Sequence, residues 1–254
     1  MTVCPRAVIF DLDDTLAESF QPPVPEMISK LRALLEHTPL AIMTAAGFPR
    51  IEDQFLTELA DSPHISRLYV FPNSTAECYL SLNSAWKLAY SLALTVEERT
   101  KIKTAIEESI KETGVIEDHP QYKPEIIDRD AQIAFAARGL KAPLAEKKAW
   151  DPDQQKRKKL KDALDRRIPE FEVLIGGMTT IDITHKSVNK SYGVAWLSKH
   201  LDIPTSEMLY VGDALYEGGN DSVVIPTGIQ TRPVANPSET LLVADELLKT
   251  CGAN

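Results

Sequence analysis

Ala7-Val8-Ile9-Phe10-Asp11-Leu12-Asp13-Asp14-Thr15-Leu16 runs four apolar residues straight into a cluster of acids. So short and continuous an apolar run is the mark of a strand buried on both faces, as in a parallel sheet covered by helices. Three more segments read the same way: Leu40-Ala41-Ile42-Met43, Leu68-Tyr69-Val70-Phe71 and Met208-Leu209-Tyr210-Val211. Between them, Met27, Leu31, Leu34 and Leu35, then Ile51, Phe55 and Leu59, recur at helical spacing. Strand alternating with helix predicts an α/β core, a doubly wound parallel sheet of Rossmann-like type.

The middle of the chain has another rhythm. An amphipathic helix (Ile102, Ile106, Ile110) is followed by an alternating segment from Ile127 to Ala136. A basic helix then leads to Phe171-Glu-Val-Leu-Ile and to Met178-Thr-Thr-Ile-Asp-Ile-Thr184. Period-2 segments mixed with helices predict an antiparallel sheet backed by helices. The expected organisation is a discontinuous core, residues 1–77 and 186–254, with an inserted α+β domain at 78–185. Hinges are expected near Phe71–Ser74 and Thr184–Ser187.

Composition narrows the class. Of 254 residues, 43% are hydrophobic and 26% charged, which excludes bulk disorder. No apolar stretch is long enough to cross a bilayer, and the first residues do not read as a signal peptide. A net charge of −9 disfavours nucleic acid and anionic membrane as partners. The basic run Lys156-Arg157-Lys158-Lys159, with Lys161, Arg166 and Arg167, reads as a solvated helix face. Cys4, Cys78 and Cys251 have neither disulfide-framework nor zinc-ligand spacing, so reduced thiols and a cytoplasmic location are expected. Oligomeric state leaves no trace in the sequence.

The acids carry the chemistry. Ligands of open α/β sheets bind just beyond the carboxyl ends of the strands, and Asp11 and Asp13 follow the first strand directly. A second group, Gly212-Asp213 and then Gly218-Gly219-Asn220-Asp221, follows Met208–Val211 in the same way. Two unit charges about 4 Å apart repel by about 4 kcal/mol at an effective dielectric of about 20. Converging carboxylates facing a phosphate therefore demand a cation. All-oxygen ligands select a hard ion, with Mg2+ the natural choice. Lys190, at the entry to a helix, would neutralise nucleophile and phosphate, and Thr44 would offer its hydroxyl to phosphate oxygens. Asp14 reads as a turn residue, and Lys186 is the rival to Lys190.

These segments together resemble the haloacid dehalogenase superfamily of phosphotransferases. Asp11-Leu-Asp-Asp-Thr-Leu matches its first motif, Thr44 its second, Lys190 its third, and Gly212-Asp213 to Gly219-Asn220-Asp221 its fourth. The insertion is similar to the large α+β cap (type IIB) of one branch. Val211-Gly-Asp-Ala-Leu-Tyr-Glu-Gly-Gly-Asn-Asp and Gly176-Gly-Met-Thr-Thr-Ile-Asp resemble eukaryotic-type phosphomannomutase-like proteins. The resemblance implies Asp11 as nucleophile, Asp13 as general acid and base, and Lys190 as the third catalytic group. It implies metal ligation by Asp11, Asp13 (through its carbonyl) and Asp213, with Asp221 behind them.

In the cap, Thr180 and Asp182 lie opposite Ile181 and Ile183 by alternation and are candidate cleft residues. Arg129 matches a substrate-binding arginine of the phosphomannomutase cap. Strict alternation nevertheless sets it beside Ile133 and Phe135, leaving either a bulge that re-aims it or a structural ion pair. The expected activity is Mg2+-dependent hydrolysis of a small phosphorylated metabolite, a sugar phosphate. The alternatives are a phosphohexomutase with the same nucleophile, or a catalytically silent binding protein.

Overall fold

A computed structural model describes residues 3–252 apart from Ser84 and Asp118. The chain opens with strand β1 (Ala7–Phe10), helix α1 (Pro25–His37), β2 (Leu40–Met43) and α2 (Phe48–Ile51). Helix α2 runs through a π-helical turn (Glu52–Leu56) into α3 (Thr57–Leu59), and β3 (Leu68–Phe71), β4 (Glu77–Leu82) and β5 (Ala85–Ser91) follow. Next come α4 (Val96–Thr113), β6 (Glu125–Asp128), β7 (Ile133–Ala136), α5 (Leu144–Trp150), α6 (Gln155–Arg167), β8 (Phe171–Gly176) and β9 (Thr180–His185). Helix α7 (Lys190–Leu201), β10 (Met208–Gly212), β11 (Gln230–Pro233) and α8 (Pro237–Cys251) complete the order. The elements form two units, Met1–Ser91 with Asn189–Asn254, and Leu92–Val188.

The first unit is built on a seven-stranded sheet in the order β11-β10-β1-β2-β3-β4-β5. The five strands from β11 to β3 are parallel. Alternate residues of each central strand enter different cores. Val8, Phe10, Ile42, Val70, Leu209 and Val211 pack with residues of α1 and α8 on one face. Ala7, Ile9, Ala41, Met43, Phe71, Met208 and Tyr210 pack with Val194 and Leu197 of α7 on the other. Two buried faces are why these strands show no alternation.

Strands β4 and β5 correct the expected domain boundary at residue 77. They join the core sheet antiparallel beside β3, so the inserted unit begins at Leu92 and its far boundary lies after Val188. Neither strand is buried along its whole length, and β5 is mostly exposed, so neither carries the continuous apolar run that marks the central strands of the core sheet. The expected hinge at Phe71–Ser74 lies inside the first unit and is buried.

The second unit is a four-stranded antiparallel sheet, β6-β7-β9-β8. Ile133, Phe135, Val173, Ile181 and Ile183 pack against Ile102 and Ile106 of α4 and Leu160 and Leu164 of α6. A capping box between Thr95 and Glu98 starts α4, and Gly114 in the left-handed conformation ends it. The basic face of α6 leans on the acids of α4, with Arg166 on Glu112 and Arg167 on Glu108 and Glu112. Arg157 differs from its neighbours in that run because it is buried. Its Nε meets Asp151 at 2.9 Å, and Nη1 reaches the carbonyls of Gly176 and Gly177 at the β8–β9 turn. Asp151 also accepts the first amides of α6, from Lys156 and Arg157.

Cys4 and Cys251 form a disulfide, which corrects the expectation of reduced thiols, and Cys78 is free and buried. The partners lie 247 residues apart, and only the return of α8 against α1 brings the end of α8 back to the segment before β1. Among the described residues no helix is long and apolar enough to cross a membrane.

Two measurements check this architecture. Denatured, unreduced protein should titrate one thiol, and three after reductant; three thiols without reductant would contradict the pairing. Arg157→Met strands the buried Asp151 carboxylate and should lower unfolding stability by about 3–5 kcal/mol in urea. A change below about 1 kcal/mol would show the pair to be dispensable.

Candidate active site

Strands β10, β1 and β2 lie side by side, and Phe10 is in register with both Val211 and Ile42. The residues that follow them therefore emerge at one edge: Asp213 after Gly212 of β10, Asp11 after β1, Thr44 after β2. The chain proceeds outward from β1 in both directions, through β2 and β3 on one side and β10 and β11 on the other. This is the switch point where α/β sheets bind ligands.

Carboxylate oxygens of Asp11, Asp213 and Asp221 all lie within 4.8 Å of one another. Lys190, the first residue of α7, donates to Asp11 Oδ1 and to Asp221 Oδ1 at 2.5 Å each. Asp221 is completely buried and also accepts from Tyr210 Oη at 2.6 Å and the Ala214 amide at 3.0 Å. A Cβ at position 212 would meet Asp221 Oδ2 at 2.3 Å, so only glycine there admits this carboxylate. Thr15, in the first motif, takes the Asp213 amide at 3.0 Å and donates to Asp213 Oδ1 at 3.2 Å.

The electrostatics follow from crowding without water. Burial pushes the Asp11 carboxyl well above its ordinary range; Lys190 opposes this, and Asp221 and Asp213 add to it. Burial and Asp221 raise Asp213 to about 6 against the pull of Lys190. For Lys190, burial alone would lower the ammonium's pKa, but Asp11 and Asp221 outweigh it and hold it above the usual lysine value. One ammonium does not balance three carboxylates, and an all-oxygen donor set with surplus negative charge fits a hard divalent cation.

The Asp13 side chain stands apart from this cluster; the metal contact expected of this residue is through its carbonyl only. Its Oδ1 and Oδ2 accept from Arg50 Nη2 at 2.5 Å and Nη1 at 3.1 Å, and Oδ1 also takes the Phe20 amide. The chain has left the strand by this point, and a forked guanidinium on α2 captures both oxygens. Arg50 also bonds Gln54 and lies 4.9 Å from the Phe20 ring. Asp14 has φ +59° and bonds Ser19 through both oxygens, as a turn residue does. Thr44 is buried; its amide reaches Phe71 O and its hydroxyl accepts the Ala46 amide, leaving a proton to donate. Lys186 bonds Phe171 O.

Arg50 was not among the expected site residues, although it lies six residues beyond Thr44, on the short helix α2 that follows the same strand. Thr15 lay within the first motif, and Tyr210 was counted only as strand core.

Arg129, Thr180 and Asp182 lie in the second unit. Arg129 falls in the turn between β6 and β7, so no alternation runs through it, and it donates to Gln132 Oε1 at 2.7 Å. The segment expected as one alternating run is a hairpin, turned at Asp130 with φ +58°. Thr180 and Asp182 lie opposite Ile181 and Ile183, which enter the helix-backed core. Asp182 is nevertheless buried, and burial lifts its carboxyl to about 6, with Arg129 pulling the other way.

Residues 144–221 match a family model described as haloacid dehalogenase-like hydrolase. The fold is shared with an IMP-bound, N-terminally truncated IMP-nucleotidase of Plasmodium falciparum, at TM-score 0.71 and 16% identity over 97% of this chain and 68% of that one. It is also shared with the C-terminal domain of C. albicans trehalose-6-phosphate phosphatase, at TM-score 0.66 and 15% identity over 96% and 93% of the two chains. The corresponding enzyme of Aspergillus fumigatus gives TM-score 0.55 and 14% identity, again over 96% and 93%. At these identities the likeness is one of fold. No curated protein sequence matches this chain.

The raised Asp182 carboxyl makes stability depend on pH. Its folded pKa of about 6 exceeds the unfolded 3.8, so the folded state binds the extra proton in that interval. The Asp182 contribution to stability should then fall by about 3 kcal/mol as pH rises from about 4 to about 6, and stay level above. Asp182→Asn should flatten that slope and raise the melting temperature at pH 7.5. Identical profiles for the two proteins would refute the burial argument.

Proposed function

We propose that this haloacid dehalogenase-like chain is a phosphohydrolase acting through an aspartyl-phosphate on a small phosphate monoester, with sugar phosphates as the substrate class. The supporting observation is the Lys190 bridge between Asp11 and Asp221, set beside Asp213 at the carboxyl edge of β1 and β10. Lys190 occupies Asp11 Oδ1 and thereby orients the carboxylate, and Asp11 Oδ2 is the attacking atom. A bond forms from Oδ2 to phosphorus as the bond from phosphorus to the leaving oxygen breaks. Asp13 gives that oxygen a proton, then takes one from the water that cleaves the aspartyl-phosphate and frees Asp11. Both Asp13 oxygens are held by Arg50, so that pair opens and the carboxylate takes up a proton from solvent before it serves the leaving oxygen. The Thr44 hydroxyl donates to a phosphoryl oxygen.

Asp11, Asp213 and the Asp13 carbonyl are proposed to hold Mg2+, with Asp221 orienting Lys190. Bound there, the ion offsets negative charge on carboxylate and phosphoryl group. The second unit is proposed as the cap, with Arg129, Thr180 and Asp182 as its substrate-binding residues. The IMP-nucleotidase and the trehalose-6-phosphate phosphatase named above have phosphate monoesters as their named substrates, which supports this substrate class.

A free-phosphate assay should include hexose phosphates, trehalose 6-phosphate and nucleoside monophosphates. Release should require Mg2+ and cease with EDTA. Asp11→Asn should keep its circular dichroism spectrum and lose turnover by about 10³-fold or more. Appreciable turnover in that variant would remove Asp11 as nucleophile.

A further inference from the structure

Asn73, Ser74 and Thr75 follow β3 with φ of +53°, +56° and +69°, three consecutive left-handed residues with no glycine among them. All three are buried, and Thr75 is β-branched, the side-chain type that tolerates this region least. Such strain persists only where the surroundings over-determine it, and it gathers at functional sites. The surroundings of Thr75 are complete. Its amide reaches Pro72 O, its carbonyl accepts from Tyr90 Oη at 2.7 Å, and its hydroxyl donates to Asn189 O at 2.6 Å. A Cβ on Gly193 of α7 would come within 2.8 Å of the Thr75 methyl, so the helix approaches at glycine distance.

The segment joins two parts of the site. On one side the Asn73 and Ser74 amides hold Ala46 O and Thr44 O, both at 2.9 Å. On the other, Thr75 holds the carbonyl of Asn189, the cap residue of α7, and the next residue is Lys190. We infer that Thr75 is a positioning residue: its strained, tethered backbone sets the start of α7 relative to the Thr44 loop and so aims Lys190 at Asp11. The kinetic consequence rests on the phosphohydrolase reading; the structural one does not.

Thr75→Val keeps the branched shape and removes the tether, Thr75→Ser keeps the tether, and Tyr90→Phe releases the Thr75 carbonyl. In folded Thr75→Val the amides of Ser191, Tyr192 and Gly193 should exchange faster while the C-terminal half of α7 is unchanged. Its kcat should fall by about 10- to 100-fold with a smaller change in KM. Thr75→Ser should stay within about twofold of the parent in kcat, and Tyr90→Phe should show the exchange change in weaker form, deciding the matter if Thr75→Val does not fold. Parental exchange at 191–193 in Thr75→Val, or an equal loss in Thr75→Ser, would overturn the inference. If the parent protein releases phosphate from no substrate, the phosphohydrolase reading falls and the exchange measurement alone decides the role of Thr75.

Discussion

The Lys190 ammonium, shared between Asp11 and Asp221, is the contact on which the first unit's arrangement turns. Asp11 and Asp221 are buried, and buried charges are costly unless paired at bonding distance. The bridge joins the end of β1, the segment after β10 and the start of α7. Asn189 caps α7 so that its first residue is the lysine, and Gly212 leaves the space that Asp221 fills. Lys190 still leaves the surplus of negative charge that suits a divalent ion.

Two acids of the first motif lie in opposite electrostatic settings two residues apart. Asp11 shares one ammonium with other carboxylates in a dry pocket. Asp13 has a guanidinium to itself in a half-exposed turn. The separate tasks proposed for them need separate environments, and the separation arises because one acid follows a strand end directly while the other belongs to a loop facing α2.

What was legible in the sequence is what depends on nearest neighbours along the chain. Four apolar tetrapeptides marked β1, β2, β3 and β10 because each residue faces a core on one side of the sheet or the other. The acids after β1 and β10 were legible because they follow strand ends directly. Contacts made by the return of distant segments left no local mark. Arg50 reaches Asp13 from a different helix, Thr75 reaches Asn189 across 114 residues, and Cys4 meets Cys251 only after α8 folds back. Strands β4 and β5 fell to the insertion because they lack a continuous apolar run, and Arg129 was set on a strand face by an alternation that the turn between β6 and β7 interrupts.

The Cys4–Cys251 bond turns the backbone between those residues into a closed ring. The second unit is then an arc of that ring rather than a span between two loose arms. A single protease cut within residues 92–188 would leave one covalent molecule whose core halves stay joined through sulfur. Reduction after such a cut would leave them held without a covalent link, through the sheet, where β1 lies between β10 from one fragment and β2 from the other, and through the packing of α8 on α1.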